Sequence, residues 1–419
     1  MYLPLCLISL LLSAVPAEAD NIDALRPRRP LPNPSDGNFF HQPQKRSLTQ
    51  FQELQFAKRA QAADGGGINY NPDGSAFLWL PDDVYSGKNF FDSFNFFSQA
   101  DPTDGHVNYV NASSAFAKGL AYVTDDNKVV MRTDSWTKLP LGTFRDSVRV
   151  QTKKLYTGGL FIIDMDSAPW GCAVWPGFWT TGLSIPPVIW PAEGEIDVLE
   201  GVHDNEHNQI AWHTIPGCVY DNNAVFSGTI PNDSGVNRTN CDASLNDNAG
   251  CNVVEWSRAS YGELFKQQGG GVIAMKWDEN DISIWSFFRA AVPQDITANS
   301  PNPSLWGSPS ARLMNTKCNI QKTFANHTVI FDITLCGQWA GNSYATTNCP
   351  GTCDERLVEP ANFINSSWSI NSLKTYRKHL LAGNITQIND GSFSADSSLL
   401  TTKLIVLLGS VTALLAISI

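Results

Sequence analysis

From Ala76 onward the hydrophobic positions come in short runs separated by Gly, Pro, Asn and Asp. Examples are 119–123 (GLAYV), 128–132 (KVVMR), 147–151 (SVRVQ), 159–164 (GLFIID), 272–277 (VIAMKW), 282–287 (ISIWSF) and 328–334 (TVIFDIT). Runs of this length, rich in β-branched and aromatic residues and bounded by turn formers, predict strands. Helical periodicity is sustained only near 255–268, and no internal repeat is present. Many short strands without crossover helices predict an all-β domain of two packed antiparallel sheets. Its expected extent is 67–380.

One run breaks the pattern. Residues 194–201 (GEIDVLEG) place three carboxylates in a segment that otherwise reads as a strand. Side chains alternate faces along a strand, so Glu195 and Asp197 share one face while Ile196 and Val198 share the other. Strict alternation sends Glu200 to the apolar face, where an unpaired charge is costly. One extra residue at Val198-Leu199, a β-bulge, returns Glu200 to the face of Glu195. The two glutamates then stand about four strand steps apart, roughly 13 Å between Cα atoms. With both side chains leaning inward, their carboxyls approach the ~5–5.5 Å separation of a retaining glycosidase. Acidic residues are depleted in strands and repel when they share a face, so a merely solvated strand is a poor account of them.

Tryptophan is abundant, with 13 in 419 residues, and Trp175, Trp179, Trp190 and Trp212 surround the acidic strand in sequence. Indoles suit the C–H faces of sugar rings, although a core position is the default for any one of them. Trp190 and one of Trp175 or Trp179 are expected to line a cleft, with Trp212 a further candidate. His213 lies in the next apparent strand, opposite about position 197. It is expected to meet Asp197 or the reacting carboxylates. No nucleophile elbow, phosphate loop or redox cysteine pair competes, and neither a cofactor nor a metal is expected.

The segment 195–200 resembles the bulged signature of glycoside hydrolase family 16. The runs 175–179 (WPGFW), 190–194 (WPAEG), 212–214 (WHT), 335–341 (LCGQWAG) and 368–374 (WSINSLK) resemble its fungal laminarinase-like branch. The resemblance covers roughly residues 75 to 380. It implies a jelly-roll sandwich with the substrate cleft on a concave face, Glu195 as nucleophile and Glu200 as acid/base. The residues alone fix the pair and leave the assignment open. Gln338 stands where an acidic residue is expected. The implied activity is a retaining endo-β-glucanase on β-1,3 or mixed β-1,3/1,4 glucans. The alternatives are a wall transglycosylase on the same carboxylates, which the bulged spacing disfavours, and a non-catalytic glucan-binding protein.

Composition adds the compartment. The formal net charge of −11 argues against nucleic acid as a partner. The expected partner is β-glucan, met by a monomer. Residues 1–19 read as a secretory signal with an apolar stretch from Leu7 to Val15. Cys6 lies inside it, and the other eight cysteines predict up to four disulfides. Residues 20–66 read either as a leader cut at Lys45-Arg46 and Lys58-Arg59 or as a flexible segment with a short exposed helix at 48–62. Sequons begin at Asn111, Asn232, Asn237, Asn326, Asn365 and Asn384. Small residues near 389–392, a polar spacer within the linker 381–403 and an apolar run at 404–419 have the layout of a lipid-anchor signal. Asn389 or Asp390 is the expected attachment residue, and a short tail anchor is the alternative. The expected location is the outer cell surface or wall, with the membrane reached only through the lipid.

Overall fold

The predicted runs pair into two antiparallel sheets laid face to face, as seen in a computed structural model that describes residues 67–381 apart from 185 and 234. The signal, the leader, Asn384, the attachment candidates Asn389 and Asp390, and the apolar tail lie outside the described residues.

Seven strands carry the acidic segment. They are β1 (Phe94–Phe96), β2 (Arg149–Thr152), β3 (Val174–Gly182), β4 (Glu195–Glu200), β5 (Gln209–His213), β6 (Cys251–Val254) and β7 (His327–Leu335). Their spatial order is β6-β5-β4-β3-β7-β2-β1. The second sheet is built on the long strand Ser367–Leu380, which pairs with Ala76–Tyr85 on one side and Gly159–Ser167 on the other. Gly271–Trp277, Asp281–Phe288 and Ala311–Met314 extend it. This is a jelly-roll sandwich.

Alternation decides what each strand buries. On β3, Val174 and Phe178 are buried between the sheets while Trp175 and Trp179 stay half-exposed on the other face. On β7, Phe331 stacks on Phe178 at 4.8 Å and meets Trp368 of the opposite sheet at 5.6 Å. Such ring pairs favour offset or edge contacts. The second sheet also buries part of its outer face. Phe77, Trp79, Leu160, Ile162 and Tyr376 cluster there with Ile296 of a helical turn, Gln294–Thr297. This explains why 159–163 is apolar without alternation.

Four disulfides join Cys172 to Cys349, Cys218 to Cys318, Cys241 to Cys251 and Cys336 to Cys353. Two of them tie the chain after β7, one to the entry of β3 and one back to Cys336. Cys349 and Cys353 thus bond to different partners. Helical periodicity at 255–268 is realised only as Gly262–Gln267. Upstream, Glu255 is buried and accepts hydrogen bonds from Ser286 and Ser310, so its tertiary partners override the local helical pattern. Of the sequon asparagines, Asn111, Asn232 and Asn237 are exposed. Asn365 is half-buried, and Asn326 is half-buried with its amide donated to Ser184 and Glu193.

Candidate active site

The bulge is present where the charge pattern requires it. Phe178 pairs with Leu199 and Trp179 with Asp197, so Val198 has no partner on β3. Towards β5, Asp197 pairs with Ala211 and Glu200 with Gln209, again with one residue too many on β4. Val198 and Leu199 are both fully buried, and Glu200 returns to the open face with Glu195 and Asp197. A bulge leaves backbone groups without ladder partners. The fully buried Asn208 supplies them: its Oδ1 accepts from the Glu200 amide at 2.9 Å and its Nδ2 donates to the Val198 carbonyl at 3.0 Å.

Each glutamate is held by an indole. Trp190 donates Nε1–H to Glu195 Oε2 at 2.9 Å, and Trp175 donates to Glu200 Oε1 at 2.7 Å. Trp339 stands edge-on to Trp175 at 5.8 Å, in the turn Gly337–Gly341. Gln338, in the same turn, donates to Asp104. His213 pairs across the sheet with Glu195, within the expected range. Its Nε2 lies 3.2 Å from Asp197 Oδ2, off the line of a hydrogen bond, so the contact is an ion pair. Its Nδ1 faces Asn248 Oδ1 at 3.1 Å, which fixes the ring orientation.

Trp212 corrects the expectation. It is fully buried between the sheets, edge-on to Tyr220 at 5.7 Å, and has no access to the cleft. The reason is alternation: with His213 on the open face, its neighbour on the strand must point into the core. Trp175, Trp179 and Trp190 are all on or beside the open face.

The electrostatics raise both glutamates. Burial pushes both carboxyls up, and the nearby Asp197 carboxylate pushes them further. For Glu195 these effects are partly offset by His213, the Trp190 indole and Arg149, and the carboxyl comes to about 7. Glu200 is held well above the ordinary carboxyl range; the Trp175 indole and His213 oppose the rise, and the Glu195 charge adds to it. Burial opposes the charge on His213, but Asp197, Glu195 and Glu200 outweigh it and raise the imidazole to about 9.

Three further groups on this face were not singled out in the sequence. Asp332 on β7 is pushed up to about 6 by burial and by Asp101, against the pull of Arg149. Arg149 packs over Phe97 at 4.4 Å and Trp179 at 4.9 Å. Gly177 lies between Trp175 and Trp179 on the strand, and a Cβ there would stand 2.6 Å from Trp179 Cδ1 and 2.7 Å from Asp332 Oδ1. The run 328–334 carries an acidic residue in an apolar strand, the same signal that marks 195–200, and it is visible in the sequence.

Two carboxyls of raised basicity on one face, with an ion pair between them and indoles around them, suit glycosidic bond cleavage. The family described as XgeA-like, catalytic GH16 domain, matches residues 94–376, and the chain belongs to glycoside hydrolase family 16. A probable glycosidase of Schizosaccharomyces pombe is 41% identical over 298 residues, 70% of this chain and 68% of that protein. A probable endo-1,3(4)-β-glucanase of Aspergillus clavatus is 37% identical over 305 residues, 70% of this chain but 45% of its own length. The chain thus spans about half the length of several curated relatives it matches. Laminarinase 16A from Phanerochaete chrysosporium, solved with β-glucans in donor and acceptor sites, superposes with a TM-score of 0.66 at 36% identity, covering 71% of this chain and 99% of that one. An elongating family 16 β-1,3-glucosyltransferase also superposes with a TM-score of 0.66 at 36% identity, covering 71% of this chain and all of that one.

Proposed function

We propose that the chain is a retaining endo-β-glucanase acting on β-1,3 or mixed β-1,3/1,4 glucans. The observation that carries this reading is the bulge that returns Glu200 to the face of Glu195, where burial and Asp197 raise both carboxyls. Glu200, the group that holds its proton, donates it to the glycosidic oxygen as the bond to the anomeric carbon breaks. Glu195, ionised, attacks that carbon and forms a covalent glycosyl intermediate. Glu200, now a carboxylate, takes a proton from water, which displaces Glu195 and regenerates both groups. Two inversions give net retention. Asp197 lies between the two and keeps Glu200 protonated in the resting enzyme. Its pairing with cationic His213 keeps the buried charge of the site balanced. Trp175, Trp179 and Trp190 provide faces for sugar rings.

Mass spectrometry of products from laminarin, lichenan and cellulose tests the reading. Oligosaccharides from laminarin or lichenan are expected, with the β-anomer first in NMR of the fresh product. Initial α-anomer would overturn the double displacement. Products longer than the substrate would favour transfer to a sugar hydroxyl, the reaction named for one of the similar structures. The four disulfides, the apolar N-terminal segment and the C-terminal apolar run support secretion and lipid anchoring at the cell surface. Release from intact cells by phosphatidylinositol-specific phospholipase C tests that part. Recovery of a membrane-bound form that still contains Ile419 would overturn it.

A further inference from the structure

A buried carboxyl on the cleft face has no part in the chemistry above. Asp332 is 7% exposed and lies on β7 opposite Gly177, whose partner on its other side is Glu200. Two strand spacings separate Asp332 from Glu200, about 10 Å between Cα atoms. An isolated carboxyl in such a place is costly unless its oxygens are used. Here both are. Oδ1 accepts from the Trp179 indole Nε1–H at 3.2 Å, and Oδ2 accepts from the Tyr109 hydroxyl at 3.2 Å.

Trp179 does not stand opposite Asp332 in the ladder; it pairs with Ile330. To reach Asp332 the indole must lie across the strand over Gly177, as the Cβ clashes there show. Arg149, on the far side, packs its guanidinium against the Trp179 ring. It is itself 7% exposed, and its Nε finds no hydrogen-bond partner among the described residues. The indole is therefore fixed at three points. Gly177 leaves space beneath it, Asp332 holds its N–H, and Arg149 supports its ring. A stacked but untethered tryptophan would rotate about its side-chain torsions, and a sugar would have to order it on binding.

We propose that Asp332 is a positioning residue. It locks the Trp179 indole, through Nε1–H, into the orientation that receives a glucosyl unit beside the cleavage point. It touches no reacting atom. Its effect falls on substrate affinity and on the length of glucan chain preferred, more than on the chemical step. This rests on the glucanase reading above.

The experiment compares Asp332→Leu and Asp332→Asn with the wild-type chain on laminari-oligosaccharides of increasing length. Asp332→Leu removes the acceptor, and KM is expected to rise about tenfold, the worth of one hydrogen bond to a charged group. The change in kcat should be much smaller. Asp332→Asn keeps an oxygen for the indole and should recover most of the affinity. Tyr109→Phe, which leaves the indole bond intact, should change KM little. Trp179→Phe should raise KM, and adding Asp332→Leu to it should cost little more, because the bond is already lost. Should Asp332→Leu not fold, Asp332→Ala, which removes the same acceptor, takes its place in both the single and the double-mutant comparison. Equal loss of kcat and unchanged KM in the Asp332 variants would overturn the positioning role, as would additive effects with Trp179→Phe. If the wild-type chain cleaves no β-glucan, it is the glucanase reading that fails. If it cleaves them and Asp332→Leu leaves KM unmoved, only the role of Asp332 fails.

Discussion

Asn208 lies on no sugar-facing surface, yet substituting it should impair both stability and catalysis. Its side chain bridges the bulge, accepting from the Glu200 amide at 2.9 Å and donating to the Val198 carbonyl at 3.0 Å. Asn208→Ala leaves both backbone groups buried without these partners. Each orphaned group costs about 1–3 kcal/mol, and water entering the vacated space recovers part of it, so a loss of about 2–4 kcal/mol is expected. For a domain of this size that lowers the melting temperature by roughly 3–6 °C. The catalytic effect comes from position. The bulge aims Glu200, and a shift of about 1 Å in a reacting group costs about 10²-fold in rate. The assay is thermal unfolding together with kcat on laminarin, measured on the folded variant well below its midpoint. Asn208→Asp retains the oxygen that accepts from Glu200 but loses the donor to Val198, and adds a buried charge. It should be no more stable than the alanine variant while aiming Glu200 better. An Asn208→Ala variant with unchanged melting temperature and rate would refute the view that this residue holds the bulge open.

Glu195→Ala and Glu200→Ala should each lose most activity while staying folded; with azide, the Glu200 variant should give a β-glycosyl azide and the Glu195 variant an α-azide, and near-wild-type hydrolysis by either would remove the catalytic assignment. His213, raised from 6.5 to about 9, contributes stability that is fully present below pH 6.5 and lost as pH rises through about 9, so His213→Asn should flatten the wild-type loss of stability across that window in denaturant titrations. If the two pH profiles run parallel, the Asp197–His213 pair does not act as described. Gly177→Ala should lower kcat/KM by at least about tenfold, because the new methyl must displace Trp179 or the Asp332 carboxyl. Wild-type kinetics in that variant would show that the floor of the cleft is not packed as found.

The acidic strand was legible in sequence because a strand has a period of two and charge is expensive in a core. Glu195, Asp197 and Glu200 cannot share a face without an extra residue, and Val198-Leu199 is where the apolar pair supplies it. The same period placed His213 on the open face and should have sent Trp212 inward. Residue type alone makes Trp212 a cleft candidate, and in the folded sheet alternation overrides it. The family signature likewise covered most of the sandwich. What lay beyond the sequence is whatever depends on strand order. Nothing local brings Asp332 beside Gly177, or Arg149 beside Trp179, since β7 comes to lie between β3 and β2 only when the sheet assembles. The disulfide pairing has the same origin, because cysteines distant in the chain meet only through the fold. So does the raised basicity of the two glutamates. Their basicity depends on burial and on charges from β2, β4 and β5 acting together, and a chain without its fold gives both carboxyls the same aqueous surroundings.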